Sequence, residues 1–215
     1  MKLTLHNYWR SSASHRVRIA LGLKGLAYEY VVVNIVKGEQ HAEAYVRANT
    51  MHQVPTFEII EDDGARVALA QSLPIIEYIE ERWPAPPILP ADLVLRARAR
   101  ALAEIINSGV QPLQNLSVTN AVAALGGDTA AWVKPFIANG LAAYARAVAE
   151  TAGAFSIGDA PTIADCFLIP QLQSARRFKV ELAELPLLLA IEERCLALPA
   201  VAAAMPDVQP DAVRN

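Results

Sequence analysis

The run from Arg10 to Arg18, "RSSASHRVR", sets three serines, a histidine and three arginines directly behind an alternating stretch, "KLTLHNY". If a strand ends and a helix begins here, the helix turns its first N–H groups and its partial positive charge toward Ser11, Ser12, Ala13 and Ser14. Such an end holds anions. A hydroxyl beside it can donate to a thiolate and lower a thiol pKa from its usual value of about 8.5. Small side chains let a ligand approach the backbone. The same serines also suit plain N-capping, so this stretch alone leaves a structural and a chemical reading open.

A second feature lies at Gln53-Val54-Pro55, before another strand pattern. An X-Pro bond at a strand start is a candidate cis peptide. The N–H and C=O of Val54 would then form an open edge able to pair with a peptide-like ligand. Gln71-Ser72 adds a side-chain amide and a second helix start suited to a carboxylate. Two helix starts and one open edge fit a ligand with carboxylates, a peptide backbone and a thiol. Glutathione has all three.

The elements around these residues fall into two groups. "WPAPPILPA", Trp83 to Ala91, carries four prolines and reads as a stiff connector. Residues 1–83 before it alternate in type. "KLTLHNY" and "YEYVVVNI" read as strands, Val17 to Lys24 and "QHAEAYVRAN" as helices. "VPTFEII" and "RVALA" flank "EDDG", a hairpin signal with Gly64 in the turn. A helix from Leu73 to Arg82, capped by Ser72 and with Pro74 in its first turn, closes the series. The order β-α-β-α-β-β-α implies a mixed sheet covered by helices. Residues 92–215 read as all helical, with "TIAD", Thr162 to Asp165, as a capping-box variant. The fold class expected is therefore α/β plus all-α: domain 1–83, linker 84–91, helical domain 92–215.

Composition limits the function. The chain has 215 residues, 53% hydrophobic and 19% charged, with a net charge of −3 and a pI of about 5.8. This is a packed globular protein without the basic face of a nucleic-acid binder. The run Arg96, Arg98, Arg100 reads as a solvated helix face. No span long enough for a membrane and no signal peptide is evident, so a cytoplasmic protein is expected. Cys166 and Cys195 sit in apolar helical contexts and read as buried thiols. The four histidines show no ligand spacing, so no metal is expected.

The segments "RSSASHRVRIAL", "QVPTFEI", "QSLPIIEYIEE", "GVQPLQNLSV", "GDAPTIADCFLIPQ" and "ARRFKVEL" together resemble the zeta-class glutathione transferases, the maleylacetoacetate isomerase family. The resemblance runs from about Tyr8 to Leu182. It implies a thioredoxin-like N-terminal domain and a helical-bundle C-terminal domain, the glutathione transferase fold, acting as a homodimer. It implies that Ser11, with Ser12, is catalytic and contacts the glutathione sulfur. Ser12, Ala13, Ser14, His15 and Arg16 would form the turn around it. Gln40, Val54, Gln71 and Ser72 would hold the tripeptide, with His52 able to touch its glycine carboxylate. Gln111 and Asn115-Leu116-Ser117 would close the site. Arg10 and Arg177 would face an acidic substrate from opposite domains.

Two positions depart from the class pattern of Ser-Ser-Cys-Ser and an aromatic: Ala13 replaces the cysteine and His15 the aromatic. No protein thiol can assist at this turn. Ser14-His15-Arg16 matches maleylpyruvate isomerase, a cousin within the family, whereas "QPLQN" matches maleylacetoacetate isomerase. Arg16 and Arg18 lie two apart on a helix and point about 200° apart; at most one faces the ligand, leaving the other solvated or ion-paired. His15 reads as a packing residue at the helix start.

The reading favoured is a glutathione-dependent cis–trans isomerase of an acidic diketone, maleylacetoacetate, in which reversible thiolate addition splits one hard step into easier ones. Arginines suit the two carboxylates through bidentate contacts. Maleylpyruvate is the alternative substrate. A transferase or dehalogenase acting on α-halo acids would differ by consuming glutathione. A non-catalytic binding protein of the same fold is the remaining reading, against which the intact Ser11, "QVP" and Gln71-Ser72 set argues.

Overall fold

In the computed structural model, which describes residues 1–213, the elements run β1 (Lys2–Asn7), α1 (Ser12–Leu23), β2 (Glu29–Val32), α2 (Glu43–Ala48), β3 (Thr56–Ile60), β4 (Arg66–Ala70), α3 (Ser72–Arg82), α4 (Leu93–Asn107), α5 (Leu116–Ala124), α6 (Thr129–Val148), α7 (Ile163–Arg177), α8 (Pro186–Leu196) and α9 (Pro199–Ala204). Two compact units result. One holds Met1–Pro87 with the segment from Pro199 onward; the other holds Ile88–Leu198. Among the described residues no helix is long and apolar enough to cross a membrane.

The first unit is built on a four-stranded sheet ordered β2-β1-β3-β4. β1 pairs parallel with β2 and antiparallel with β3, and β3 pairs antiparallel with β4. The register sets Leu3 opposite Ile59 and Leu5 opposite Phe57, and all four are buried. Val17, Ala20 and Leu21 of α1 and Ile75, Ile76 and Ile79 of α3 are also fully buried, as the apolar circumference of α1 implied. The hairpin turns where "EDDG" indicated: Gly64 adopts φ +86° and its N–H donates to Glu61 O.

Four local expectations need correction. α1 begins at Ser12, well before Val17, because the Ser11 cap supplies a start that apolar periodicity does not show. β2 is shorter than "YEYVVVNI". "QHAEAYVRAN" is broken into a 3-10 turn, Glu39–His41, and α2 by the extended backbone of Ala42. Ser72 is the first residue of α3 and not its cap; Gln71 stands at the cap position with φ +71° and caps through no side-chain bond.

The first part of the proline-rich connector, through Pro87, is fastened in the first unit, whereas Ile88 onward belongs to the second. The ammonium of Lys24, 0% exposed at the side chain, pairs with Glu80 and donates to Trp83 O and Pro86 O, both at 2.7 Å.

The second unit contains α4 to α8. α7 is its centre, buried at twelve of its fifteen positions, from Ile163 to Ala175. Its start shows the expected capping box of Thr162 and Asp165. Val133, Ile137, Leu141, Tyr144 and Val148 give α6 one buried stripe. Cys166 and Cys195 are buried thiols. The helical domain expected over 92–215 differs at its far end. From Pro199 the chain packs on the sheet unit, and α9 lies against α1. Its residues are as alanine-rich as those of the bundle, so composition does not separate them.

Candidate functional site

Ser11 occupies the cap of α1 with extended dihedrals, and its Oγ accepts from Ser14 N–H at 3.2 Å. Its own N–H donates to Tyr8 O at 3.0 Å, closing the turn out of β1. The hydroxyl oxygen is thus an acceptor within the turn, and its hydrogen can be donated outward. Ser11, Ser12 and Ala13 are all partly exposed. Among the described residues the N–H groups of Ser12 and Ala13 have no partner, as the first turn of a helix leaves them. Ser14 is buried.

Arg16 is 1% exposed and its Nη1 donates to Ser72 Oγ at 3.0 Å. This bond joins the starts of α1 and α3. Two helix N-termini and a guanidinium then share one place, and all three favour a negative charge. The capping role expected of Ser72 is replaced by this tertiary contact. Arg18, expected to be solvated or ion-paired, is neither: it is 1% exposed and donates to Asn7 Oδ1, Tyr8 O, Trp9 O and Ala204 O. His15 is buried, and burial first, then the charges of Arg18 and Arg16, hold its imidazole well below the ordinary value. It is a neutral packing group.

The Val54–Pro55 bond is cis. Val54 stands just ahead of β3, and among the described residues its N–H and C=O form no hydrogen bond. The turn before it is held from outside. Tyr45 Oη and Asn49 Nδ2 both donate to Gln53 O, at 2.6 and 2.7 Å, and both also bond Thr56 Oγ1. Gln40, on the 3-10 turn, is buried; its Oε1 has no partner, while its Nε2 lies 3.2 Å from His41 Nε2. His41 Nδ1 in turn lies 3.3 Å from His52 Nδ1, with His52 at φ +55°. Gln71 is exposed beside Ser72. Arg10 is exposed, its guanidinium 5.7 Å from the Trp9 ring centroid.

In the second unit, Gln111 opens a 3-10 turn that leads to α5. Asn115 caps α5: its Oδ1 accepts from Ser117 N–H at 3.0 Å and from Ser117 Oγ at 2.9 Å. Leu116 and Ser117 are exposed. At the end of α7, Arg176 forms a two-pronged ion pair with Glu192. The Arg177 guanidinium lies 4.9 Å from the Phe178 ring centroid, on an exposed side chain.

The family model for the glutathione S-transferase N-terminal domain matches residues 10–82. Curated relatives match the chain along nearly its whole length. A maleylpyruvate isomerase from Ralstonia sp is 43% identical, over 97% of this chain and 99% of that one. A zeta-class glutathione S-transferase from Euphorbia esula is 43% identical, over 98% and 92%. The crystal structure of maleylacetoacetate isomerase from Anaeromyxobacter dehalogenans 2CP-1, with GSH bound in its active site, is 51% identical, with TM-score 0.91, covering 99% of this chain and 98% of that one. The chain belongs to the zeta-class glutathione transferases.

Within a zeta-class protein the polar groups of the sheet unit fit glutathione. An outward hydroxyl and two unpaired amides at α1 suit a thiolate. The unpaired Val54 N–H and C=O suit a peptide backbone, and the buried Gln40 oxygen needs a donor. The sequence reading missed Asn49 and Tyr45, which hold the turn that presents Val54. A buried asparagine just ahead of a Gln-Val-Pro turn is a signal that could have found the first of them. It also missed Arg18, whose partners lie far away in the chain.

Proposed function

We propose that this protein is a glutathione-dependent cis–trans isomerase converting maleylacetoacetate to its trans isomer. The observation that carries the reading is the junction of α1 and α3: the Ser11 hydroxyl, two open helix starts and the Arg16–Ser72 bond. Bound glutathione supplies a thiolate that adds to the cis double bond and leaves once the former double bond has rotated, so it is regenerated. Ser11 donates its hydroxyl proton in a hydrogen bond to that sulfur, and the α1 amides and Arg16 add positive potential. Ser12, Ala13, Ser14, His15 and Arg16 shape the turn. Gln40, His52, Val54, Gln71 and Ser72 hold the tripeptide. Gln111, Asn115, Leu116 and Ser117 are proposed as further glutathione contacts on the resemblance alone. Arg10 and Arg177 are proposed as carboxylate anchors, since each is exposed and guanidinium matches carboxylate.

Maleylpyruvate is the second reading for the substrate, favoured by Ser14-His15-Arg16 and by the likeness to the Ralstonia protein. A dimer is proposed from the family; a light-scattering mass near the 23.2 kDa of one chain would contradict it. A cytoplasmic location is the reading that two buried thiols support.

The test is turnover of both acids with and without glutathione. Isomerisation that requires glutathione and leaves total thiol unchanged is expected. Steady loss of thiol would make the protein a transferase, and failure to bind glutathione in calorimetry would make it neither. Ser11→Ala should cut turnover by about 2.7–4 kcal/mol of transition-state stabilisation while glutathione still binds. A crippled Ser12→Ala beside a nearly normal Ser11→Ala would reverse that assignment. Arg10→Ala and Arg177→Ala should each weaken the acid by roughly 1.5–3 kcal/mol with glutathione affinity kept. Unchanged kcat/KM for both acids would remove the two arginines from the site.

A further inference from the structure

The turn that places Ser11 is gripped by groups from far along the chain. Trp9 stands two residues before Ser11, and both of its backbone polar groups are taken by side chains. Its N–H donates to Asp211 Oδ2 at 3.0 Å across 202 positions of sequence. Its C=O accepts from Arg18 Nη2 at 3.0 Å. Arg18 also donates to Tyr8 O at 3.4 Å, the same carbonyl that receives the Ser11 N–H. The guanidinium is fixed in turn by Asn7 Oδ1 at the end of β1 and by Ala204 O at the end of α9.

Asp211 is equally well fixed. Tyr30 of β2 donates to its Oδ1. Gln209, two residues earlier, is buried and its amide donates to Ala203 O and Met205 O, and Ala212 N–H closes a turn on Gln209 O. The aspartate is therefore presented by an ordered segment.

We propose that Asp211, with Arg18, is a positioning residue for the zeta-class reaction: the segment after α9 fixes Trp9 and so aims the Ser11 hydroxyl at the glutathione sulfur. The inference rests on Ser11 being the thiolate donor. A hydroxyl donor loses strength steeply when its angle or distance drifts. A carboxylate holding a backbone N–H makes a stronger bond than a neutral acceptor does. Freed from it, Trp9 can pivot, and the turn Tyr8–Ser11 loses one of its two outside supports.

The experiment uses the full chain with Asp211→Ala and Asp211→Asn, glutathione as the probe, and the ultraviolet absorbance of the thiolate titrated on the binary complex. In Asp211→Ala the bound thiol should titrate about one pH unit higher, a roughly tenfold loss of thiolate at a given pH. kcat should fall about tenfold near neutrality and recover at higher pH, with KM for glutathione changed less than about threefold. Asp211→Asn should regain most of this, because its carboxamide oxygen can still accept from Trp9 N–H. A general loss of folding would instead move KM and the unfolding midpoint together and leave the thiol titration of the folded fraction unshifted; that pattern overturns the proposal.

A double-mutant cycle with Ser11→Ala separates the two readings. If the clasp acts through Ser11, Asp211→Ala has little further effect on the thiol titration in the Ser11→Ala background. A full effect there overturns the clasp. An unshifted titration in Ser11→Ala alone overturns the assignment of Ser11 itself, and the clasp with it. A shifted titration in Ser11→Ala with an unshifted one in Asp211→Ala overturns the clasp only.

Discussion

His15 shows how a single buried group couples the start of α1 to pH. Burial and the nearby Arg18 and Arg16 charges put its folded pKa well below the ordinary 6.5. On acidification the unfolded chain binds the proton first, so the stability His15 contributes is complete above about pH 6.5 and is lost as pH falls toward the folded pKa. Each pH unit in that window costs up to about 1.4 kcal/mol. Urea unfolding of the protein and of His15→Asn between pH 7.5 and 5 should show the native chain losing stability faster. The difference between the two curves isolates this group from the carboxylates. Parallel curves would mean that the imidazole is protonated or solvated in the folded state. At this scale the sequence was legible where chemistry is local. Ser11 as a cap follows from neighbours within three residues. Arg18 was not legible, because its acceptors include residue 204 and the loop it steadies; two arginines at i and i+2 read as one useful and one spare. In the fold both are buried, Arg16 bonded to Ser72 at the start of α3 and Arg18 to the carbonyls of Tyr8 and Trp9.

At the scale of elements, capping explains both a success and a failure. "TIAD" is read correctly from four residues, since a cap and its reciprocal acid form a closed local unit. Asp165 does more than the motif requires. Its Oδ2 accepts from Thr162 N–H at 2.8 Å and its Oδ1 from Ser156 N–H at 2.9 Å, and both donors are buried. Burial nevertheless outweighs these bonds and raises its pKa. Asp165→Ala orphans two buried amides and should cost roughly 2–4 kcal/mol in urea unfolding. Thr162→Ala loses one cap bond and should cost about 0.5–2 kcal/mol. Asp165→Asn should rescue little, because one end of a carboxamide is a donor and would face an N–H. Full rescue by asparagine would show that one of the two contacts is dispensable. The failure is Ser72. Local rules make it a cap, yet Gln71 takes the cap position with φ +71° and the Ser72 hydroxyl turns to Arg16. The partner lies 56 residues away, and the contact that makes Ser72 part of the candidate site is the one that local reading cannot supply.

For the chain as a whole, the reading of the fold from sequence stops at Pro199. The alternation of strands and helices in the first unit and the hairpin followed from patterns of period two and 3.6. The return of the last segment to the sheet unit did not, because "PAVAAA" is as compatible with one partner as with another. The structure shows what selects α1. Gly22 lies where α9 crosses, and a Cβ there would sit 3.0 Å from Ala200 O and 3.3 Å from Ala200 Cβ. Gly22→Ala therefore sets two effects against each other. Alanine favours the helix by about 0.8–1.0 kcal/mol, while the methyl group displaces α9 by a few tenths of an ångström. The first acts on α1 alone; the second acts on everything α9 carries, including Ala204 and, through it, the Arg18 and Asp211 bonds to Trp9. The unfolding midpoint should then change little. The Trp9 amide should lose protection in hydrogen exchange, and the segment from Pro199 should be cut faster by protease. Alanine that raises the midpoint by the whole helix-propensity term, with Trp9 protection intact, would show that α9 yields without loosening the turn, and that the close crossing at Gly22 has no part in holding Trp9.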